Sequence, residues 1–396
     1  MTKRFLRLVP VLLTVVALNG CIKDELPNVE ADIEDILLSS NKKDVIISKK
    51  IERDRVTVFI SPNSLGDKKR VTPTYILSKG SRITEGLENL DYSRPHHIKV
   101  VSEDGIWSKN YLVRFLDMDL PTKYFYEDWQ SNKGNYDDCY EKVLIDNNGT
   151  EDNLYMWSSG NMGYRIVKPS SKPMEYPTYK TLSSADAHSG RYAACMATRY
   201  IGPGGQGSPI AAGSLFIGEF SGKGINIMKE QRRATRFGFP FSKKPKKLKF
   251  WFKYETFEDM YQYDNEGNKI GKYADPVTND TRDFCAVYAV MFDNKEAARL
   301  YNGETYLNGN TILSSPAEVG RAILTDNDKY GTKAKYGNQY VYKELEFTYS
   351  KAIDPEKLNN YDYSIAIIFS SSYYGAYFIG GLGSHLWIDD VELECE

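Results

Sequence analysis

Leu248-Lys249-Phe250-Trp251-Phe252-Lys253-Tyr254 places Leu248, Phe250, Phe252 and Tyr254 on one side of an extended chain and Lys249, Trp251 and Lys253 on the other. A period of two is the signature of a half-buried β-strand. Downstream, Ala286-Val287-Tyr288-Ala289-Val290-Met291-Phe292 and Ile365-Ala366-Ile367-Ile368-Phe369 are apolar at both parities. Such runs fit central strands covered on both faces. Leu345-Glu346-Phe347-Thr348-Tyr349 alternates again, and helical periodicity is confined to short pieces such as 294–300. The pattern predicts an all-β, two-sheet jelly-roll sandwich over residues 124–396.

Upstream, residues 30–117 carry shorter runs: Val45-Ile46-Ile47, Val56-Thr57-Val58-Phe59-Ile60 and Ile98-Lys99-Val100-Val101. Turn signals separate them, among them Asp104-Gly105, a hairpin dipeptide whose Gly tolerates a positive φ. This segment reads as a small β-sandwich of immunoglobulin size, although it lacks the Cys…Trp…Cys core spacing. Asp117-Met118-Asp119-Leu120-Pro121 marks the boundary, with 118–123 as linker. His96 and His97 follow Pro95, and adjacent strand residues point to opposite faces, which argues against a shared metal.

Residues 1–20 stand apart from both domains. Lys3, Arg4 and Arg7 precede an apolar run from Leu8 to Leu18, which has the length of an export signal and is short for a membrane span. The run ends in Leu18-Asn19-Gly20-Cys21, which resembles a bacterial lipobox, so Cys21 is the expected lipidation site and 21–29 a linker. Lys23-Asp24-Glu25 resembles the surface-export signal of Bacteroidetes lipoproteins. The expectation is an outer-membrane lipoprotein facing the exterior, attached to the membrane through its lipid anchor only.

Charge excludes one class of partner. The 51 basic and 53 acidic side chains give a net charge of −2, without the basic surplus that nucleic-acid binding requires. The run Lys243-Lys244-Pro245-Lys246-Lys247 reads as a solvated loop that blunts a sheet edge. Only 4 His are present, and Cys139, Cys195, Cys285 and Cys395 lack zinc-ligand spacing. Cys195 and Cys285 lie in apolar runs and read as buried thiols. Tyr, at 30, is the over-represented residue; its ring suits both strand packing and wet recognition surfaces.

A series of blocks then appears in order: Trp157-Ser158-Ser159-Gly160-Asn161, Ala211-Ala212-Gly213-Ser214-Leu215-Phe216-Ile217-Gly218, Phe237-Gly238-Phe239-Pro240-Phe241 and Gly383-Ser384-His385-Leu386-Trp387-Ile388-Asp389-Asp390-Val391-Glu392-Leu393. Together they resemble the putative carbohydrate metabolism domain (PCMD) of Bacteroidetes surface lipoproteins, over 124–396, behind an Ig-like lead domain. The resemblance implies a jelly roll like that of carbohydrate-binding modules and a role in glycan handling. It transfers no catalytic residues. It also implies that the Ile-Asp-Asp-Val strand supplies a structural calcium ligand, Asp389, partnered by Glu127 or Asp128. Parity with Val391 and Leu393 places Asp389 and Trp387 toward the core, where a carboxylate must be compensated.

A sugar site needs aromatic faces flanked by hydroxyls, amides and carboxylates. The loop Ser370-Ser371-Ser372-Tyr373-Tyr374-Gly375-Ala376-Tyr377 has that composition, its alternative being tyrosines folded onto the sandwich. Trp157 with Asn161 is a second candidate and Trp251 a third, core packing or a covering layer being the alternatives. Hydrolysis would need two carboxyl groups ~5–9 Å apart. Asp137-Asp138, Glu258-Asp259, Asp275 and Asp283 are available, and no glycosidase signature selects among them. The expected function is non-catalytic binding of an oligo- or polysaccharide, no cofactor being required. A glycoside hydrolase and a structural or adhesive surface protein are the alternatives.

Overall fold

The computed structural model describes residues 26–38, 46–61, 71–88, 91–117, 119–133, 139–143, 156–168, 172–202, 209–222, 224–227, 229–264 and 266–396. The export signal, Cys21, Asp137-Asp138 and most of the Gly-rich 202–207 segment lie outside them. The chain divides into two compact units, with most residues through Phe115 in the first and 116–396, together with 44–48 and 59–64, in the second.

The first unit carries a five-stranded sheet in the order Ile46–Ile51, Arg55–Ile60, Ser108–Asp117, His96–Val101, Arg82–Glu85, and a two-stranded one, Ile33–Leu37 with Thr74–Leu77. Its hairpin closes at Asp104-Gly105, where Gly105 has φ +74 and its N–H donates to Ser102 O. His96 is buried against Tyr92 whereas His97 is exposed, so the two point apart as strand parity requires.

In the second unit two antiparallel sheets enclose one core. The larger runs Leu307–Asn308, Thr235–Phe237, Ser214–Phe220, Tyr363–Ser370, Ala286–Asp293, Glu318–Ile323, Thr348–Tyr349, with Trp157–Ser158 and Phe239–Pro240 paired beside it. The smaller runs Thr178–Lys180, Ala194–Ala197, His385–Cys395, Pro245–Glu255, Val341–Glu346, with Lys123–Tyr124 alongside. Leu248, Phe250, Phe252, Leu386 and Ile388 of the smaller sheet meet Leu215, Ile217, Val287, Met291, Ile365 and Phe369 of the larger in one cluster. This is the sandwich that the period-two runs predict. The runs apolar at both parities are indeed central strands. Their second face, Val290, Phe292 and Ala366, packs with Phe216 of the neighbouring strand under the Asn294–Leu300 helix and the segment that follows it.

Two local expectations are corrected. The basic run 243–247 is not an edge loop, because Pro245 opens a central strand. Lys244 meets Glu396 at 2.8 Å, Lys247 meets Glu344 at 2.8 Å and Glu346 at 3.0 Å, and Lys249 meets Glu394 at 2.5 Å. Parity also fails along His385–Cys395. The pairing steps from Lys249↔Glu392 to Trp251↔Asp389, and Asp390 has φ +45, which together form a bulge. One extra residue inverts the alternation, so Asp389 and Trp387 share the outer face with Trp251, opposite Leu386 and Ile388.

Candidate functional site

A cavity of about 470 Å³ lies on the outer face of the nine-stranded sheet. Phe216, Ala286, Tyr288 and Ile368, the outward residues of three central strands, form its floor. The helix Asn161–Val167, the Gln231-Arg232 turn, residues 309–314 and the loop from Ser370 to Phe378 wall it in. Tyr373, Tyr374 and Tyr377 all line it, so the structure brings the predicted tyrosine loop to a real concavity.

The loop is built so that its rings reach this space. Ser371 and Ser372 are wholly buried and act as fasteners of the loop. Thr198 Oγ1 lies 2.8 Å from Ser371 Oγ and 2.6 Å from Ser372 Oγ, and Ser372 Oγ donates to Asp283 Oδ2 at 2.6 Å. Ser384 Oγ and Gly381 N–H converge on the same oxygen at 2.7 and 2.8 Å. Burial nevertheless pushes the Asp283 carboxyl up to about 7 against these donors. The turn Gly375–Tyr377 ends on Phe378 in the left-handed region at φ +58. Tyr373 stacks on Phe284 at 4.9 Å, and the Tyr374 hydroxyl donates to Asp275 at 2.9 Å. Tyr377 stays 53% exposed, and the Arg232 guanidinium lies 4.5 Å from its ring centroid.

The other aromatic candidates are committed elsewhere. Trp157 is 2% exposed and stacks on Phe369 inside the sandwich, so it is a core residue. Asn161 is fully buried; its Nδ2 donates to Thr178 O at 2.6 Å and its Oδ1 accepts from Thr178 N–H at 3.1 Å, bracing one strand. Trp251 is half-buried, with the His188 ring stacked over it at 3.9 Å and Tyr342 tilted against it at 5.2 Å, so it offers no free platform.

The acids proposed for calcium serve one loop. Asp389 Oδ2 accepts the N–H groups of His188 and Ser189 at 2.9 and 3.1 Å, and Oδ1 accepts that of Asp390 at 2.9 Å. Burial still raises its carboxyl to about 6. Glu127 accepts the Arg191 N–H at 3.0 Å on both oxygens, and Asp128 lies half-buried beside it in sequence. Among the described residues, no group of three His, Cys, Asp or Glu is arranged to hold a metal. Cys195, Cys285 and Cys395 are free thiols, the first two buried.

None of the described residues lining the cavity is Asp or Glu. The other acids considered for hydrolysis have structural partners: Glu258 holds Lys269 at 2.7 Å, and Asp259 holds Lys272 and Thr281. Asp275 touches the lining through Tyr374. Its burial would raise its carboxyl, yet hydrogen bonds from Val277 N–H, the Thr278 hydroxyl and Tyr374 outweigh that and leave it below the usual value. Sequence reasoning missed Arg232 and Tyr288. They come from segments far from the tyrosine loop, and no local signal separates Arg232 from its neighbours.

Comparison with known proteins supplies the context. No curated protein matches the chain. The crystal structure of a putative glycoside hydrolase from Bacteroides thetaiotaomicron VPI-5482 is 30% identical and covers 94% of this chain and 99% of its own, with a TM-score of 0.74. That of a putative glycoside hydrolase from Bacteroides vulgatus ATCC 8482 is 29% identical and covers 70% of this chain and 99% of its own, with a TM-score of 0.56. Residues 125–394, nearly the whole second unit with the cavity in it, match the model of the putative carbohydrate metabolism domain, and the chain belongs to that family.

Proposed function

We propose that this chain is a surface-displayed lipoprotein, anchored at Cys21, whose second unit binds an oligo- or polysaccharide in the tyrosine-lined cavity without catalysis. The observation that carries this reading is the lining itself. Aromatic rings and hydroxyl and amide groups converge on a space of sugar size, and no carboxylate pair among the described residues faces them. The family is described as a putative carbohydrate metabolism domain, which supports the ligand class. A glycan array on the mature chain, followed by reducing-sugar release on every hit, tests it. Binding without release is expected. Silence across host and plant glycans would reject the carbohydrate readings together and leave a structural or adhesive protein.

A glycoside hydrolase is the second reading, favoured by the names of the two solved relatives. Release of reducing ends from a bound glycan would establish it. Display on the outer face is tested by protease treatment of intact cells: the chain should be shed together with a known surface protein. No cofactor enters the proposal. Glu127 and Asp389 are the carboxylates that would hold a calcium ion, and main-chain N–H groups already occupy both. Equal melting temperatures in calcium and in EDTA are expected, and a fall on chelation would put an ion there.

A further inference from the structure

Arg232, Arg233 and Arg236 sit on one short stretch and meet different fates. Arg233 is held by Glu230 at 2.9 Å and Glu304 at 3.3 Å, and Arg236 faces Glu219 at 3.8 Å. Arg232 lines the cavity, and among the described residues no carboxylate pairs with it; its guanidinium carbon lies over the Tyr377 ring instead. A guanidinium stacked on a ring keeps its N–H edge free to receive an anion in bidentate fashion. It is also the sole charged side chain among the described lining residues, so these contribute one positive charge and no negative one.

A second observation concerns hydroxyls. Tyr288, Tyr373 and Tyr377 all line the cavity, and their phenols lie near enough to interact electrostatically. Among the described residues none of the three hydroxyls has a hydrogen-bond partner, and Tyr288 is 7% exposed. A phenol hydroxyl that opens into a cavity without a protein partner can both donate to and accept from a ligand there. Three such groups beside one unpaired guanidinium match a ring that bears both hydroxyls and an anionic substituent.

We propose that the cavity takes a negatively charged sugar unit, a uronic acid or a sulfated residue, whose anion pairs with Arg232 while its hydroxyls bond to Tyr288, Tyr373 and Tyr377. The proposal rests on the glycan-binding reading and specifies its ligand class. Neutral sugars would fill the same space and leave the guanidinium unanswered.

Calorimetric titration of the mature chain separates the cases. The probes are oligogalacturonides beside their carboxyl-reduced forms, and sulfated galactan oligosaccharides beside their desulfated forms. At least one acidic probe should bind about tenfold or more tighter than its neutral partner, as a charge-assisted pair implies. That advantage should shrink as salt rises. Arg232→Gln should abolish the preference for the acidic probe over its neutral partner, and Arg232→Lys should restore part of it; unchanged circular dichroism melting secures the fold of both. Equal affinity for charged and neutral partners, or a preference that survives in Arg232→Gln, would overturn the inference and leave glycan binding standing. Silence of every probe and of a broad array would reject both together.

Discussion

On the six-stranded sheet of the second unit, the outward residues Lys247 and Lys249 are matched by Glu344, Glu346 and Glu394 across neighbouring strands, and Trp251 lies under His188. On the nine-stranded sheet, the outward residues include Tyr288, with Tyr373, Tyr377 and Arg232 above it, and their polar ends are left unmatched around a cavity. Both faces display aromatic and cationic side chains. Among the described residues, one has closed its own valences and the other has not, and the second is where the proposed glycan site lies. Aromatic richness is therefore a poor guide to a binding surface, and uncommitted polar edges are a better one.

The largest effect expected from this contrast is a difference in the sign of pH dependence. Burial raises Asp283, beneath the tyrosine loop, to about 7, so its folded form is disfavoured once pH climbs above the ordinary carboxylate range. Stability present near pH 4 is lost as pH rises toward 7. Asp283→Asn, uncharged throughout, should therefore gain on the wild type by on the order of 4 kcal/mol across that window, read from urea unfolding. The opposite face behaves inversely. Lys247 and Lys249 hold Glu344 and Glu394 below the usual carboxylate value, so that contribution exists at neutral pH and is lost as pH falls through the lowered values. An Asp283→Asn difference that stayed flat with pH would break the distinction.

Binding gives the next effect. Tyr373→Ala or Tyr377→Ala should weaken glycan affinity by about tenfold, the scale expected for losing an aromatic contact at the centre of a site. Trp251→Ala should leave glycan affinity unchanged and lower stability by ~1–2 kcal/mol, since its ring packs only within the covered face. Loss of binding in Trp251→Ala with retained fold would move the site to the other sheet. Smallest of all, Lys249→Ala should lower the melting temperature barely measurably, and the difference should vanish at high salt.

Legibility in the sequence followed the range of the interaction. Strand pattern is local, so the alternation at 248–254 and the doubly apolar 286–292 and 365–369 already implied a sandwich. The tyrosine loop was visible for the same reason, being one continuous stretch. Trp157 and Asn161 misled because their polar neighbours are adjacent in sequence, whereas what buries them is Phe369 and Thr178. Asp389 misled because a single bulge at Asp390 inverts parity, and no residue before it announces the step. Arg232 could not be found at all from the chain, since what sets it apart is that no carboxylate among the described residues meets it in three dimensions.

Residues 187–192 carry a last consequence. Their main-chain N–H groups are gripped by Glu127, at the entrance to the second unit, and by Asp389, near its exit, and a Cβ on Gly190 would sit 2.0 Å from Glu127 Oε1. The loop thus works as a clasp fastened from both ends of the domain. An excised domain that starts after Glu127 would lose one half of the clasp with the central strands intact, whereas one that stops before Asp389 would lose the other half and also truncate His385–Cys395, a strand paired on both sides. Domain boundaries for expression should be drawn outside both, and recombination inside them should be poorly tolerated.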